Sequence, residues 1–440
     1  MHREMKDSGV EWIGKIPNGW SVKRIKSLAL SPNSIFIDGD WINSPDISGE
    51  GIRYLTTGNI GQGVFKEQGN GYITRETFTR LACTMVHAGD LVISRLNEPV
   101  GRACIIPDVY QECVVAVDNV IFRPDKNYNK KFLMYCMSSD RYAEFTSLLA
   151  RGTTMHRISR IQLGNIAFPI PPLPEQTAIA EYLDNRCAAI DEIIAEAKAT
   201  IEEYKAWKAS VIFEAVTKGL DPNAEMKDSG VEWIGKMPKG WKICKLKWLC
   251  QNITDGSHFS PETTDEGYPY ITAGDVSGKG LNYHNSKKIS ANAYNELQKT
   301  GCRPLEGDVL LVKDGATTGR VGLMTDNEPC VALSSVAIMR PAKNVNSCYL
   351  MYIMMSEILQ FQIRKTMAGS AMPRTTLSKL INYVTISCPL SEQKIICDYL
   401  DEKCAAIDAI IAEKEALIAD MESYKKSLIY ECVTGKRKVC

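Results

Sequence analysis

The stretch LPEQTAIAEYLDNRCAAIDEIIAEAKATIEEYKAWKASVIFEAVT, at residues 173–217, decides how this chain is organised, because it occurs twice. It returns at residues 390–434 as LSEQKIICDYLDEKCAAIDAIIAEKEALIADMESYKKSLIYECVT. The two copies align without a gap at an offset of 217 residues, and YLD, CAAID and IIAE stand at matching positions. A self-match of this length indicates an internal duplication, which has to be settled before any local prediction.

Both copies carry apolar residues at alternating steps of four and three. This heptad spacing predicts a two-helix coiled coil and not a helix lying on a sheet. In the first copy the stripe has one polar position, Lys208, and is otherwise formed by Leu183, Cys187, Ile190, Ile194, Ala197, Ile201, Tyr204 and Val211. In the second copy it is formed by Leu400, Cys404, Ile407, Ile411, Ile418, Met421 and Leu428.

A second duplicated segment frames each half of the chain. MKDSGVEWIGKIPNGW, at 5–20, returns as MKDSGVEWIGKMPKGW at 226–241. Its glycines and prolines predict a loop, whose tryptophans we expect to anchor in a groove at a module's edge. Only the short linker 218–225 separates the first long helix from the second half. Paired helices must therefore run antiparallel, with a module at each end of the rod and the N-terminus close to the end of the second helix.

Between these repeats the sequence predicts two globular modules of mixed α and β structure. In the first, β-prone runs at 52–60, 89–94 and 113–122 precede a helix at 130–150, and the same order returns from Tyr270 onward. The predicted fold class is α+β, with two mixed α/β domains separated by two long helices forming an antiparallel coiled coil, in a pseudo-twofold internal repeat. The predicted boundaries are 1–172 for the first domain, 173–217 for the central helix, 218–225 for the linker, 226–389 for the second domain, 390–434 for the C-terminal helix and 435–440 for the tail.

Composition limits the class of protein. The 440 residues are 45% hydrophobic and 24% charged, which is typical of a soluble globular protein with more than one core. No apolar run of about 18 residues and no signal-peptide core occurs, and the 15 cysteines are scattered. These features predict a cytoplasmic protein without membrane contact. The net charge is zero, but each helical copy carries −5 and the remainder +10, which permits a nucleic-acid partner outside the helices.

Motifs of common enzymes are missing from the sequence. It contains no GxxxxGK[ST] phosphate loop, no GxGxxG after a strand, no Asn-Pro-Pro-aromatic tetrapeptide and no GxSxG. Its five histidines form no metal constellation. The missing motifs therefore favour a binding protein over an enzyme.

Two modules on a two-helix rod resemble the specificity subunit of type I restriction–modification enzymes. The resemblance covers essentially the whole chain. The segments that carry it are MKDSGVEWIG near the start, DGSH (255–258) followed by GYPYITAGDV (267–276), GD(L/V)(V/L) before a Gly-Arg pair, and LPEQ or LSEQ at the start of the long helices.

The resemblance implies two target-recognition domains, each recognising one half of a bipartite sequence in double-stranded DNA. It also implies that the helices fix the spacer between the half-sites and dock two modification (methyltransferase) subunits, which restriction (endonuclease) subunits join. By the same resemblance this chain has no catalytic residues and binds no metal or cofactor, and S-adenosylmethionine, ATP and magnesium would be bound by the partner subunits.

Candidate DNA contacts are polar side chains near strand ends and their loops, because bases are recognised through donors and acceptors and phosphates through Lys and Arg. In the first domain they are Arg95, Asn97, Arg102, Arg151, Thr153, His156 and Arg157. In the second they are His258, Lys313, Thr317, Thr318, Arg320, Ser370 and Arg374. Arg102 and Arg320 are the same residue type in both modules, and we expect them to hold the framework or to contact phosphate. Asn97 and Lys313 differ between the modules, and we expect them to determine which half-site sequence is recognised. For each side chain a framework or solvent role stays open.

The Asp-Gly turn of DGSH has a counterpart in the first domain, Asp38-Gly39, which is followed by Asp40 and Trp41. We expect the turn to be framework and the next two positions to tune recognition or packing. Two alternatives for the whole chain stay open. One is a solitary specificity protein used for domain exchange, and the other is a coiled-coil scaffold that joins two protein-binding modules.

Overall fold

The computed structural model describes residues 3–110, 112–152, 155–278, 280–367 and 373–439. It divides into two compact units, with unit 1 formed by Met1–Ala197 and Ala416–Cys440, and unit 2 by Lys198–Glu415. Each unit therefore holds one globular module together with part of both long helices. Two predicted DNA contacts, Thr153 and Ser370, lie outside the described residues.

The strands of unit 1 are β1 (Met5–Asp7), β2 (Lys15–Pro17), β3 (Ser21–Arg24), β4 (Ile35–Asp38), β5 (Ile52–Leu55), β6 (Tyr72–Ile73), β7 (Leu91–Ser94), β8 (Ala103–Ile105), β9 (Cys113–Val115), β10 (Asn119–Arg123) and β11 (Ala167–Ile170). The helices that begin in it are α1 (Arg75–Arg80), α2 (Lys130–Ser138), α3 (Asp140–Leu149), α4 (Arg160–Asn165) and the long α5 (Leu173–Lys218).

The strands of unit 2 are β12 (Met226–Asp228), β13 (Lys236–Pro238), β14 (Lys242–Lys245), β15 (Cys250–Asp255), β16 (Thr263–Thr264), β17 (Tyr268–Ile271), β18 (Val276–Ser277), β19 (Gly280–Leu281), β20 (Lys287–Ile289), β21 (Val309–Val312), β22 (Val321–Leu323), β23 (Val331–Ala332), β24 (Val336–Pro341) and β25 (Val384–Ser387). Its helices are α6 (Ala291–Lys299), α7 (Ser347–Met355), α8 (Glu357–Thr366), α9 (Leu377–Leu380) and the long α10 (Leu390–Val433).

A four-stranded antiparallel sheet forms the centre of each module, in the order β4-β10-β7-β8 in unit 1 and β15-β24-β21-β22 in unit 2. Its middle strands are buried on both faces, because successive side chains point to opposite sides. Leu91 and Ile93 join the apolar cluster that includes α2 and α3, while Val92 faces a second cluster with β5 and β9. This packing places one layer of helices and one smaller sheet on the two faces of the central sheet.

The single helix predicted at 130–150 is wrong in one respect, because the chain forms two helices there. Ser139 has an extended backbone (φ −70°, ψ 135°) and separates α2 from α3. Ser356 separates α7 from α8 in the same way (φ −71°, ψ 158°). Serine favours helix caps over helix interiors, and the acidic residue that follows it in both modules suits the first turn of a helix.

The repeated segment at 5–20 contains more than the predicted loop, since β1 and β2 pair in an antiparallel ribbon. Its tryptophans are buried anchors, as expected. The Trp12 ring packs edge-on against Tyr142 and Phe168. The Trp20 indole Nε1 donates a hydrogen bond to Glu175 at 3.0 Å, within the first turn of α5. The segment therefore fastens the start of the long helix to the module.

The glutamine of the LPEQ and LSEQ motifs makes the next connection between helix and module. Gln176 accepts a hydrogen bond from the Asn129 backbone N–H at 2.8 Å, and Gln393 accepts one from Asn346 at the same distance. Both asparagines cap the helix that follows them. Both glutamines are buried, so each motif fixes the position of a long helix against its module.

The two long helices pack antiparallel in unit 1. Cys187 of α5 is near Cys432 of α10, and further along α5 Asp191 accepts hydrogen bonds from Lys425 Nζ at 2.6 and 2.7 Å. Residue numbers therefore rise along α5 in the direction in which they fall along α10, so the two helices run antiparallel. The predicted stripe is buried at Leu183, Cys187, Ile190 and Ile194, and burial raises the pKa of the Cys187 thiol.

The same arrangement recurs in unit 2. Lys205 of α5 is near Glu415 of α10, and Lys208 donates to both carboxylate oxygens of Asp408, at 2.7 and 2.8 Å. The polar residue in the heptad stripe is therefore matched by a carboxylate on the other helix. This pair is the duplicate of Asp191–Lys425, with the two helices exchanging roles. The predicted antiparallel helix pair and the α+β class are confirmed.

The N-terminal segment lies against the end of α10 within unit 1, as the repeat predicted. The Tyr430 hydroxyl donates to the backbone carbonyl of Ile13 at 3.2 Å. Arg437, just after α10, pairs with Glu431 at 2.9 Å. Among the residues that the structure describes, none of the helices combines the length and the apolar character needed to cross a membrane.

Candidate nucleic-acid interface

The first-domain candidates meet at one edge of the central sheet of unit 1. Strands β4 and β7 both run antiparallel to β10, so their carboxyl ends lie at the same edge. Asp38 ends β4, and Arg95 directly follows β7. Arg95 Nη2 lies 3.1 Å from Asp38 Oδ1 and donates to the Val117 carbonyl at 2.7 Å. Burial lowers the pKa of Arg95, and the Asp38 carboxylate offsets part of this shift.

Unit 2 repeats this edge with a different cation. Asp255 ends β15, and Lys313 directly follows β21. Lys313 Nζ lies 3.4 Å from Asp255 Oδ2 and 3.1 Å from Asp314 Oδ2, and its side chain is only 3% exposed. Lys313 was expected to determine which DNA sequence is recognised, but its side chain is buried and does not face solvent. Because its ammonium is buried between two carboxylates, it holds the edge together, as Arg95 does in unit 1.

Arg102 is also a framework residue. Its buried guanidinium donates to five backbone carbonyls, those of Thr57, Ile60, Leu96, Asn97 and Pro99. Burial lowers its pKa, and the carbonyl oxygens replace the water that the charge has lost. Arg320, the aligned residue in unit 2, is exposed and donates to the Val276 carbonyl at 3.4 Å. The two aligned arginines therefore differ in environment, because Arg102 holds a loop in unit 1 and Arg320 is exposed to solvent in unit 2.

Residues 151–152 and 155–157, which we call the tongue, stand at this edge. Arg151 and Arg157 exchange two backbone hydrogen bonds of 2.9 Å. Gly152 has φ +111°, and a Cβ there would overlap the Met155 carbonyl, so the turn requires glycine. Asn97 donates its backbone N–H to the His156 carbonyl at 2.9 Å. Four predicted contacts, Asn97, Arg151, His156 and Arg157, are thus brought together on the surface.

Ion pairs hold the tongue in place. Arg157 Nη2 lies 2.7 Å from Asp118 Oδ1, and His156 Nδ1 lies 2.5 Å from Glu98 Oε1. Partial burial acts against ionisation of Glu98, but hydrogen bonds from His156 and Ser147 lower its pKa overall. The carboxylate therefore stays ionised at neutral pH and orients the imidazole.

The second-domain candidates form a related cluster. Arg374 Nε lies 3.1 Å from Asp314 Oδ1, and His258 Nε2 lies 3.3 Å from Asp255 Oδ2. Thr318 donates its hydroxyl to the Pro373 carbonyl at 3.1 Å, which fixes the segment before Arg374. Thr317 is half-buried in the same loop. Arg374 and His258 are exposed, as is Arg320.

The Asp-Gly turn is framework in both modules, as its recurrence suggested. A Cβ on Gly39 would overlap the carbonyl oxygens of Val115 and Ala116, and one on Gly256 would overlap Ala332 and Leu333. The residue after each glycine bridges to the neighbouring strand. The next side chain is free to vary, because Trp41 is 67% exposed and His258 70% exposed.

Several residues of this edge were missed in the sequence. Arg160 pairs with Asp38 at 3.0 Å, and Asp118 connects the tongue to β10. At the opposite end of the central sheet, where β7 and β21 begin, buried Asp90 pairs with Arg123 at 2.6 Å, and Asp308 pairs with Arg340 at 2.7 Å. Each of these aspartates follows a glycine and each of these arginines precedes a proline, in both halves of the chain. This repetition was the feature of the sequence from which the ion pair could have been predicted.

A family model agrees with this duplicated architecture. The type I restriction modification DNA specificity domain matches residues 17–203 and again residues 238–419. The chain belongs to this specificity family. The two matches span both modules and most of both long helices, so the predicted family is confirmed.

Relatives of this specificity family resemble the whole chain at low identity. The putative type I restriction enzyme MjaX specificity subunit of Methanocaldococcus jannaschii is 22% identical over 97% of this chain and 96% of its own length. The MjaVIII specificity subunit of the same organism is 25% identical over 67% of this chain and 68% of its own. The EcoKI specificity subunit of Escherichia coli is 20% identical over 70% and 64%.

Solved structures share the fold. A chain from work on complex assembly and conformational transition of the type I R-M system gives a TM-score of 0.71, with 15% identity, over 96% of this chain and 99% of that one. The HsdS subunit of Thermoanaerobacter tengcongensis gives 0.51, with 18% identity, over 96% and 98%. The specificity-family fold is therefore retained although most residues differ.

Proposed function

We propose that this chain is the DNA-recognition subunit of a type I restriction–modification complex. The observation that carries the proposal is that the family match covers both modules while their surface side chains differ. Each module would recognise one half of a bipartite target in double-stranded DNA. The chain would contribute recognition and leave the chemistry to its partners.

The arrangement of each edge suits a division between phosphate and base contacts. Buried Arg95 and Lys313 fix the loops, so that exposed side chains are held in one geometry when DNA arrives. Arg157 and Arg374 are exposed and charged, which suits phosphate or guanine contacts. Trp41 and His258 occupy aligned positions with different chemistry, which suits recognition of two different half-sites.

The long helices would serve the assembly. We propose that they set the spacing of the two half-sites and dock two modification subunits, with restriction subunits joining that complex. The relatives are specificity subunits of type I restriction enzymes. S-adenosylmethionine, ATP and magnesium would be bound by the partner subunits, and the chain itself would bind none of them.

The direct test is to co-express the full chain with a cognate methyltransferase subunit and to map methylated adenines in genomic DNA. A split motif with an unspecified spacer is the expected result. Methylation that never depends on this chain, in any such pairing, would refute the proposal. If the chain directs sequence-specific methylation but no methyltransferase gene lies next to its own gene, the solitary specificity protein is favoured. If the chain forms a stable complex with two other proteins and does not bind DNA, the scaffold is favoured.

The side chains after the Asp-Gly turns provide a prediction for half-site identity. Trp41→Ala should alter or weaken recognition of one half-site only, and His258→Ala should do so for the other half-site only. Both side chains are exposed, so neither change should affect folding. Methylation maps of the two variants provide the measurement, with Leu30→Ala, another exposed apolar residue of unit 1, as control. Equal effects on both half-sites would contradict this assignment.

Helix length provides a second prediction. Removing seven residues from α5 and seven from α10 keeps the heptad register and shortens each helix by about 10 Å, at roughly 1.5 Å per residue. We expect the methylated motif to retain its two half-sites while the permitted spacer changes, or activity to be lost. Removing seven residues from one helix alone misaligns the stripes and serves as control. A changed half-site with an unchanged spacer would show that the helices do not set the spacing.

A further inference from the structure

A cavity of about 560 Å³ lies in unit 2 where α10 begins. The linker 218–225 forms one wall, and the first turns of α10 form another. Its surface is mainly apolar, because Leu220, Trp241, Ile395 and Ile396 line it. Ile395 is 59% exposed, so the apolar lining continues onto the surface. Exposed apolar surface rimmed by polar residues is typical of a contact with another protein.

A single partly buried carboxylate, that of Glu392, lines this cavity from the first turn of α10. Its Oε2 accepts a hydrogen bond from the Trp241 indole Nε1 at 2.8 Å. In the part of the chain that the structure describes, no lysine or arginine forms an ion pair with Glu392. The two lysines that line the cavity are engaged by other carboxylates, in the pairs Lys218–Glu214 and Lys239–Glu225. The cavity therefore offers a carboxylate without a cation.

Unit 1 has the same carboxylate with a cation beside it. Glu175 is the duplicate of Glu392, and its Oε2 accepts a hydrogen bond from Trp20 at 3.0 Å. Its other carboxylate oxygen pairs with the guanidinium of Arg3. The residue two positions before MKDSG is Arg3 in the first copy and Ala224 in the second, and Ala224 lines the cavity. Unit 1 thus supplies from its own chain the cation that unit 2 lacks.

The charge of the cavity favours a basic protein segment over DNA. Asp221 lines the cavity together with Glu392, and its carboxylate accepts a hydrogen bond from the Asn223 backbone N–H at 2.9 Å. Two carboxylates without a cation would repel the phosphates of DNA, because like charges placed together at an interface are costly. They attract a lysine or an arginine instead.

We propose that this cavity receives an arginine or lysine side chain of a modification subunit, and that this side chain pairs with Glu392. The apolar stem packs against Leu220 and Ile395 while the charged end reaches the carboxylate. Such a pair uses the carboxylate oxygen that Trp241 leaves open, and charge-assisted hydrogen bonds of this kind are strong. The proposal rests on the proposed function and adds the place and the chemistry of one docking contact.

The test places a photoreactive benzophenone amino acid at Ile395 of the full chain, which is co-expressed with its methyltransferase subunit. Irradiation should join the two proteins, with the link within a few residues of an arginine or lysine of the methyltransferase. Ala224→Arg supplies the cation from within the chain, as Arg3 does in unit 1. This change should abolish the link and weaken the binding of one methyltransferase subunit about tenfold, which corresponds to about 1.4 kcal/mol.

Matched variants show whether the cavity or the added charge is responsible. Asn223→Arg adds the same charge at the neighbouring residue, which does not line the cavity, and should leave the link and the affinity unchanged. Glu392→Gln should weaken binding about as much as Ala224→Arg does. Replacing the basic residue of the methyltransferase with alanine should have the same effect, and combining it with Glu392→Gln should weaken binding no further.

Failure of the cavity contact can be told apart from failure of the proposed function. If the wild-type chain forms no complex with the methyltransferase, the proposed function itself fails. If the complex forms but residue 395 gives no link, or links to DNA or to a second copy of the chain, only the cavity contact is refuted. Unchanged binding of both Ala224→Arg and Glu392→Gln refutes it as well. Urea unfolding checks that each variant folds, and the combined change at Glu392 and its partner decides the question if Ala224→Arg is unstable.

Discussion

Arg123→Met is expected to lower the free energy of unfolding of unit 1 by about 3 kcal/mol, because it leaves a buried carboxylate without its main partner. Asp90 is 4% exposed and receives three hydrogen bonds of 2.6–3.0 Å from the Arg123 guanidinium. The His87 backbone N–H and Lys130, 3.7 Å away, remain as weaker partners. Urea unfolding followed by tryptophan fluorescence measures the change.

The matched control is Arg141→Met, which removes an arginine from an exposed pair with Glu144 on α3. Both side chains of that pair are more than 60% exposed, so we expect a change within about 0.5 kcal/mol. Arg340→Met should reproduce the large effect in unit 2, where the hydrogen bond to Asp308 also raises the pKa of Arg340. If Arg123→Met and Arg141→Met have the same effect, the Asp90–Arg123 pair does not stabilise the central sheet.

Gly39→Ala is expected to destabilise unit 1 by about 2–3 kcal/mol and to abolish recognition of the half-site that unit 1 contacts. A Cβ at this position would overlap two backbone carbonyl oxygens, those of Val115 and Ala116, which cannot move as a side chain can. The turn would have to open, and Asp38 would move away from Arg95. Urea unfolding and the methylation map measure the two effects.

Gly19→Ala is the control, since a Cβ there has no heavy atom within 4 Å and the backbone does not require a positive φ. It should unfold like the wild-type chain and leave the methylated motif unchanged. Gly256→Ala should affect only the other half-site, because its Cβ would meet the Ala332 and Leu333 carbonyls in the same way. Wild-type stability of Gly39→Ala would show that the turn has more room than the backbone geometry indicates.

The structure brings some of the predicted contact residues together on the surface and buries others. Asn97, His156 and Arg157 lie together on the surface, as the loop after β7 and the LARGTTMHRIS segment suggested. Arg95 and Lys313 are buried, which the sequence did not reveal, because a charged residue after a strand is usually solvated. Their carboxylate partners, Asp38 and Asp255, come from a strand that is far away in the sequence.

The sequence by itself determined the duplication, the two long helices and their antiparallel pairing. These features depend on periodic apolar residues and on linker length, and both are local properties that can be counted along the chain. The repeat also explains why the Lys208–Asp408 pair occurs a second time as Asp191–Lys425, since Asp408 and Lys425 are the duplicates of Asp191 and Lys208.

Only the tertiary structure decided which charged side chains hold the sheet edge and which remain exposed to solvent. Arg102 and Arg320 are aligned in the repeat, yet one is enclosed by five carbonyl groups and the other is exposed. The physical reason is that the exposure of a charge depends on loops brought together from distant parts of the chain. A buried charge is stable only where polar or oppositely charged groups surround it. The position of a charged residue in the sequence does not show which distant loops will supply those groups.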